Sequence, residues 1–159
     1  MDSGNTMNDS EKDVLAILAF GARDRASPVY HFATERPYWD QIERSIDRVF
    51  RYGGSAEIRV LRPALAYTNV VDMVALPGQF RLVILTKFID PKTELREWWE
   101  QGDSPFRGTA RFGDDDWDAR TVCADVTVAK KVFKDLFDHG ELTESSFIQM
   151  RSNLNPKPR

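Results

Sequence analysis

The sequence predicts an α+β fold, a single domain in which an antiparallel sheet of four to six strands is packed by two main helices. Two segments place apolar residues at three- and four-residue spacings, the pattern of a helix with one buried face. Between them, short apolar runs are joined by tight turns, which favours neighbouring antiparallel strands. A length of 159 residues suits one domain.

The first predicted helix covers Tyr38–Tyr52 and ends at two glycines, Gly53 and Gly54, as helices commonly do. Its apolar stripe consists of Trp39, Ile42, Ile46, Val49 and Phe50. The second covers Val126–His139, and Asp125 before it can accept hydrogen bonds from the free N–H groups of the first turn. Its apolar stripe consists of Ala129, Val132, Phe133, Leu136 and Phe137.

The strands are predicted between these helices. Ala56–Val60 alternates apolar and charged residues, as expected for a strand with one buried face. Val70–Leu76 and Phe80–Phe88 flank Pro77-Gly78, a pair that suits a type II turn, so these two strands form a hairpin. Because Phe80–Phe88 is apolar on both faces, we expect it in the middle of the sheet.

Other segments give weaker signals. Val14–Phe20 is apolar on every face, so periodicity does not separate strand from helix, although its length and Gly21 favour a strand. The remaining predictions are a short helix at Glu94–Gln101, a short strand at Thr109–Phe112 inside a long loop, a strand at Arg120–Ala124 and a short helix from Thr143 to Met150. Flexible tails are expected at about residues 1–12 and 152–159.

Composition bounds the function. The net charge is −3, without the clustered basic residues of a nucleic-acid footprint, so we expect no nucleic-acid partner. The seven-residue run Val14–Phe20 is too short to cross a bilayer, and we expect no membrane association. A single cysteine, Cys123, indicates a reducing compartment and hence the cytoplasm. No catalytic motif is present, so we predict a protein that is not an enzyme and needs no cofactor.

The most distinctive stretch is a run of four aspartates around a tryptophan. Nine acidic and four basic residues lie between Asp90 and Asp118, so the negative charge of the chain is concentrated there. Such a region speeds encounters with a basic partner, and aromatic residues are enriched in protein interfaces. We therefore predict a protein-binding surface. Its residues are Asp114, Asp115, Asp116, Trp117, Asp118, Trp98, Glu97 and Glu100.

Other interpretations of this run remain open. It can be a solvated acidic loop without a partner. Asp114, Asp116 and Asp118 could hold a divalent cation if a special loop geometry made them converge, which would indicate a metal-dependent hydrolase. A structural homo-oligomer could use the same surface on a second copy. By contrast, Gly53–Ser55 resembles a fragment of a phosphate loop but follows a helix and precedes a strand, the reverse of the usual order, so no phosphate loop is expected there.

Three pieces of the chain resemble small bacterial immunity proteins. They are the turn Gly53–Ser55, the tryptophan-rich acidic middle (Trp98, Trp99, Trp117) and the closing stretch Val132–Gly140. The resemblance implies a non-enzymatic inhibitor that caps a cognate toxin delivered between bacterial cells. The charge of the acidic run suggests that the toxin would be basic and that this run would face it.

Overall fold

A computed structural model of the chain describes residues 17–27, 31–33, 37–62, 67–88 and 93–152. The strands within these ranges are β1 (Ile17–Asp24), β2 (His31–Ala33), β3 (Gly54–Arg62), β4 (Tyr67–Leu76), β5 (Gln79–Phe88), β6 (Thr93–Trp98), β7 (Thr109–Phe112), β8 (Asp115–Asp118) and β9 (Met150–Ser152). The helices are α1 (Trp39–Tyr52), α2 (Val126–His139) and α3 (Glu144–Phe147), and a 3-10 turn covers Ala119–Thr121.

One antiparallel sheet contains the strands in the order β2-β1-β3-β4-β5-β6-β9. Strands β3 to β6 follow one another in chain order, and β7 pairs with β8 in a separate hairpin. The predicted α+β fold, an antiparallel sheet with two main helices, is confirmed. The sheet has five long strands, which is within the predicted number. Two three-residue strands, β2 and β9, lie at its edges and bring the total to seven.

Both main helices pack on the same face of the sheet, over β1, β3 and β4. The buried face of α1 consists of Ile42, Ile46 and Val49. Phe133 of α2 is fully buried and meets Phe20 of β1 edge to face, with ring centroids 6.2 Å apart. Both apolar stripes therefore point into one core, as their spacing predicted.

Glycines shape the corner between α1 and β3. Gly53 ends the helix with φ of 81°, a conformation that glycine adopts without strain. At Gly54, a Cβ would lie 2.0 Å from the carbonyl oxygen of Arg23, so only glycine allows β1 to approach β3 this closely. The N–H of Gly78 donates to the carbonyl oxygen of Phe50 (2.8 Å), which attaches the β4–β5 turn to the same corner.

Polar contacts fix α2 at both ends. As predicted, Asp125 caps it, since its carboxylate accepts a hydrogen bond from the N–H of Thr127 (3.0 Å). Near the other end, the buried carboxylate of Asp135 accepts from the N–H of Thr143 (3.1 Å) and the hydroxyl of Ser146 (2.5 Å). These bonds hold the α2–α3 connection against the core.

The β4–β5 hairpin confirms the strongest strand prediction. Gly78 has φ of 82°, as the second central residue of a type II turn requires. Strand β5 lies between β4 and β6 inside the sheet, and its residues Phe80, Leu82 and Ile84 are buried on the helix side. On the other face, Val83 and Leu85 are half-buried, so coverage there is only partial.

Four predictions need correction. Glu94–Gln101 does not form a helix, because Thr93–Trp98 pairs with β5 and β9 as a strand. Arg120–Ala124 is not a strand; it begins in the 3-10 turn and adds one isolated bridge between Phe80 and Cys123. Helix α3 ends at Phe147, so the helix predicted to Met150 is too long. Ser152 belongs to β9 rather than to a tail, and the other predicted tail positions lie outside the described residues.

The run Val14–Phe20, for which the sequence favoured a strand over a helix, is a strand in the part that the structure describes. Strand β1 begins at Ile17, passes through Gly21 and ends at Asp24. Residues 14–16 lie outside the described ranges. Gly21 does not end the strand, because it pairs with Glu57 of β3 in the middle of the register.

Candidate protein-binding site

The aspartate run lies in a β-hairpin rather than in a long loop. Strands β7 and β8 pair from Thr109–Asp118 to Phe112–Asp115, which leaves Gly113 and Asp114 as a two-residue turn. Gly113 has φ of 62°, as the first position of such a turn requires. We call residues 109–118 the acidic hairpin. Thr109–Phe112 is confirmed as a strand, and Asp115–Asp118 is a strand that the sequence did not predict.

The acidic hairpin has two faces, because side chains alternate along a strand. Trp117 points towards the outer face of the main sheet, where the guanidinium of Arg81 lies 3.5 Å from its ring centroid. Phe112 shares this hairpin face with Trp117 and is buried. Asp116 and Asp118 occupy the opposite face of the hairpin.

Arg81 attaches the hairpin to the sheet. It is 8% exposed, although it lies on the face of β5 that no helix covers. Its guanidinium donates to Glu97 Oε2 (2.8 Å) and to Thr121 Oγ1 (3.2 Å) while it stacks on Trp117. Burial lowers the pKa of Arg81, and the neighbouring Glu97 carboxylate opposes that shift. The charge of Glu97 is therefore already compensated within the protein.

A second arginine secures the base of the hairpin. Arg120 forms a bidentate pair with Asp118, through Nε to Oδ1 (3.0 Å) and Nη2 to Oδ2 (2.7 Å). It also donates to the carbonyl oxygen of Ser104 (3.2 Å), and its Cζ lies 4.8 Å from the ring centroid of Trp99. The hydrogen bonds from Arg120 hold the pKa of Asp118 below its usual range, so this carboxylate is ionised and engaged.

The remaining predicted residues divide into two groups. Glu100 forms an ion pair with Arg107, and Trp98 is half-buried against the core on the helix side of β6. Asp114, Asp115 and Asp116 are exposed, and none of them forms an ion pair with any residue in the described ranges. Only these three of the six predicted carboxylates are available to an outside cation. We call them the hairpin tip.

The geometry does not assemble a metal site. No group of three or more acidic, histidine or cysteine ligands converges within the described part of the chain. Asp115 and Asp116 point to opposite faces of β8, and Asp118 is occupied by Arg120. The three alternate aspartates that a cation would need are therefore divided between the turn and a paired strand.

Sequence reasoning did not identify the residues that organise the site. No local pattern indicates that Arg81 pairs with Glu97, because the two residues lie on different strands. Arg120 was assigned to a strand without a role. The pairing of Asp118 with Arg120 is the one contact with a local signal, because a carboxylate before a short helical turn commonly accepts its N–H, as Asp118 does from Arg120 (3.0 Å).

The fold and the hairpin define an α+β domain with an antiparallel sheet, two helices on one face and an acidic hairpin on the other. Residues 17–146 match the family described as "Family of unknown function (DUF6911)", and the chain belongs to that family. A search of curated proteins finds no match to this chain. Among the described residues, no helix combines the length and apolarity that crossing a membrane requires.

One solved structure is similar to this chain. It is the crystal structure of a hypothetical protein from Neisseria gonorrhoeae, with a TM-score of 0.60 and 14% sequence identity. The similarity covers 81% of this chain and 92% of that one. At this identity the likeness concerns the fold alone.

Proposed function

We propose that this protein is a non-catalytic binding module that recognises a basic surface on another protein through the hairpin tip. The observation that carries the proposal is the division of charge within one hairpin. At its base, Asp118 and the adjoining Glu97 are neutralised by buried arginines, whereas Asp114, Asp115 and Asp116 are exposed and without described ion-pair partners.

This arrangement suits binding because the base holds the tip in place. Three adjacent carboxylates repel one another, and a partner that supplies lysine or arginine side chains relieves that repulsion. The backbone of the tip is already ordered by β7–β8 pairing, so little conformational entropy is lost when a partner binds. The main effect of such charges is on association rate and specificity.

Two exposed aromatic side chains flank the acidic hairpin, Trp117 on β8 next to Asp116 and Phe106 near Arg120 at the hairpin base. Trp117 is 36% exposed even though Arg81 covers one face of its ring, and Phe106 in the preceding segment is 62% exposed. Aromatic residues of this kind often anchor protein interfaces. The combination of acidic tip and aromatic flank favours a protein partner over a small ion.

The partner that fits the resemblance to immunity proteins is a basic bacterial toxin. We propose that the protein acts in the cytoplasm and covers the toxin's functional surface, with the hairpin tip contacting lysine or arginine and Trp117 as an anchor. The hydrolase alternative has less support, since the aspartates do not converge. Use of the same surface in a homo-oligomer would require a basic patch on the second copy.

The test compares baits that differ only in the hairpin tip. The tip variant carries Asp114→Asn, Asp115→Asn and Asp116→Asn, and a matched control carries Asp40→Asn, Asp138→Asn and Glu144→Gln, which remove the same charge elsewhere. Both are used with the wild-type protein to capture partners from the native bacterial cell. We expect the wild type and the control to capture a basic protein. At low salt, this partner should associate with the tip variant about tenfold more slowly than with the wild type.

The salt dependence of association provides the second measurement. Binding to the wild type should weaken as salt rises, because screening acts on exposed charges, and this dependence should be smaller for the tip variant. Equal capture and equal association rates for all three baits would show that the tip is only solvated. A captured partner with an acidic surface would also contradict the proposal.

A further inference from the structure

A second polar site lies at the corner where β1 ends and the chain passes from α1 into β3. A cavity of about 350 Å³ opens there. Its lining residues are Arg23, Asp24, Arg25, Ser27, Gly54 and Ser55. None of them belongs to the acidic hairpin, so this cavity is separate from the proposed protein-binding site.

The cavity is positively charged. Arg23 and Arg25 are exposed and form no ion pair with any residue that the structure describes. The only acidic lining residue, Asp24, is 6% exposed and is already bound by Arg48 Nε (2.9 Å) and by the N–H of Ala26 (3.0 Å). These bonds hold the pKa of Asp24 below its usual range. Two cationic groups therefore remain uncompensated on a chain whose net charge is −3.

The backbone around these groups is fixed. Arg23 pairs directly with Ser55 across β1 and β3, and Asp24 pairs with Gly54. The N–H of Arg25 donates to the carbonyl oxygen of Gly53 (3.0 Å). The side chain of Arg25 extends over Gly53, with its Cδ 3.3 Å from the position that a Cβ on this glycine would occupy. Because directly paired residues point to the same face of a sheet, Arg23 and Ser55 lie side by side at the cavity, next to Arg25.

We propose that this corner binds the phosphate group of a small phosphorylated molecule. Two guanidinium forks and the hydroxyls of Ser27 and Ser55 offer more donors than one carboxylate accepts, and they suit the several oxygens of a phosphate dianion. The cavity is also large enough to hold part of the organic group that is esterified to the phosphate.

This site differs from the phosphate loop that Gly53–Ser55 superficially resembles. In a phosphate loop the ligand is held by free backbone N–H groups. Here the N–H of Gly53 donates to Val49 (2.8 Å) and that of Arg25 to Gly53. At this corner the side chains of Arg23 and Arg25, rather than these two backbone groups, supply the positive charge.

The test titrates the full-length protein with orthophosphate and with phenyl phosphate, using sodium acetate and sodium chloride at matched ionic strength as references. We expect both phosphates, at about 10 mM, to shift the backbone amide NMR signals of Ser27, Gly54 and Ser55 and to raise the melting temperature. Stronger binding of phenyl phosphate would identify a phosphate monoester as the ligand class, and equal binding would identify free phosphate.

The variant Arg23→Gln, Arg25→Gln should weaken phosphate binding by about tenfold or more, because both charged donors are lost. The control Arg44→Gln, Arg111→Gln removes the same charge from exposed positions away from the cavity and should bind as the wild type does. Absence of phosphate-specific shifts in the wild type, or equal binding by both double variants, would overturn the proposal.

Discussion

The two faces of the main sheet are stabilised by different interactions. The face under α1 and α2 is almost entirely apolar, and residues such as Ile58, Val71 and Phe80 are fully buried there. The outer face carries charged side chains at neighbouring positions, and its order depends on which charges lie opposite one another. The first face should respond to lost volume and the second to lost or altered charge.

The outer face itself contains two contrasting arrangements. Around Arg81, opposite charges and an aromatic ring surround one buried guanidinium. On the neighbouring strands β3 and β4, Glu57 and Asp72 lie directly opposite each other, so like charges meet. Arg59 pairs with Glu57 (3.0 Å) and relieves this repulsion in part. Substitutions at Phe133, Arg81 and Asp72 distinguish the apolar face from these two charged arrangements.

The largest effect is expected on the helix side. Replacing Phe133, which is 0% exposed, by alanine removes its contact with Phe20 and leaves a cavity. The free energy of unfolding should fall by about 3–5 kcal/mol. Phe106→Ala is the matched control, because Phe106 is 62% exposed and should cost less than about 1 kcal/mol. Urea denaturation measures both. Similar losses for the two variants would contradict the assignment of the core.

A smaller loss is expected at Arg81. Arg81→Met retains an apolar stem but removes the ion pair with Glu97 and the stacking on Trp117. The free energy of unfolding should fall by about 2–3 kcal/mol. Combining it with Glu97→Gln should recover part of this loss, because the carboxylate that loses its ion pair with Arg81 is then also removed.

Arg59→Met is the comparison for Arg81→Met. Arg59 also pairs with a glutamate on the outer face, but its side chain is 55% exposed, so its loss should cost no more than about 1 kcal/mol. An equally small cost at Arg81 would show that its network does not hold the acidic hairpin. Urea denaturation at one pH is sufficient to compare the wild type, Arg81→Met and Arg59→Met.

The contrast between the faces also explains which parts of the fold could be predicted. Helices α1 and α2 and the Pro77-Gly78 turn were predictable because their signals are local, an apolar stripe or a turn-forming pair. Strand β6 was mistaken for a helix because it places Glu94 and Arg96 on the side that is apolar in its neighbours. Its conformation is determined by pairing with β5 and with the distant β9.

The candidate site was less predictable than the fold. Aspartate is unfavourable in strands, so Asp115–Asp118 does not look like one, and it becomes β8 through pairing with β7. The sequence identified the acidic run, but the difference between its paired base and its free tip depends on Arg81 and Arg120. Arg81 reaches the hairpin from a distant strand, and no local pattern reveals such a contact.

An effect smaller than those at Phe133 and Arg81 is expected at Asp72, and it should depend on pH. Burial, reinforced by a hydrogen bond and repulsion from Glu57, raises the pKa of Asp72 from 3.8 to about 6. Between these values the folded protein binds more protons than the unfolded chain, so this group's contribution to stability is fully present below 3.8 and is lost as the pH rises through about 6.

Asp72→Asn removes the charge while keeping the shape, so it should stabilise the protein where Asp72 is ionised. We expect a gain of about 1–2 kcal/mol at about pH 8, reduced from the full shift because the side chain is only half-buried, and little change at about pH 4. Asp116→Asn is the exposed control on the hairpin tip, and as a surface substitution it should change the free energy of unfolding by less than about 0.5 kcal/mol. Unfolding curves at both pH values measure the difference. A pH-independent effect of Asp72→Asn would mean that the Glu57–Asp72 contact does not retain a proton, and the outer face would then tolerate opposed like charges without penalty.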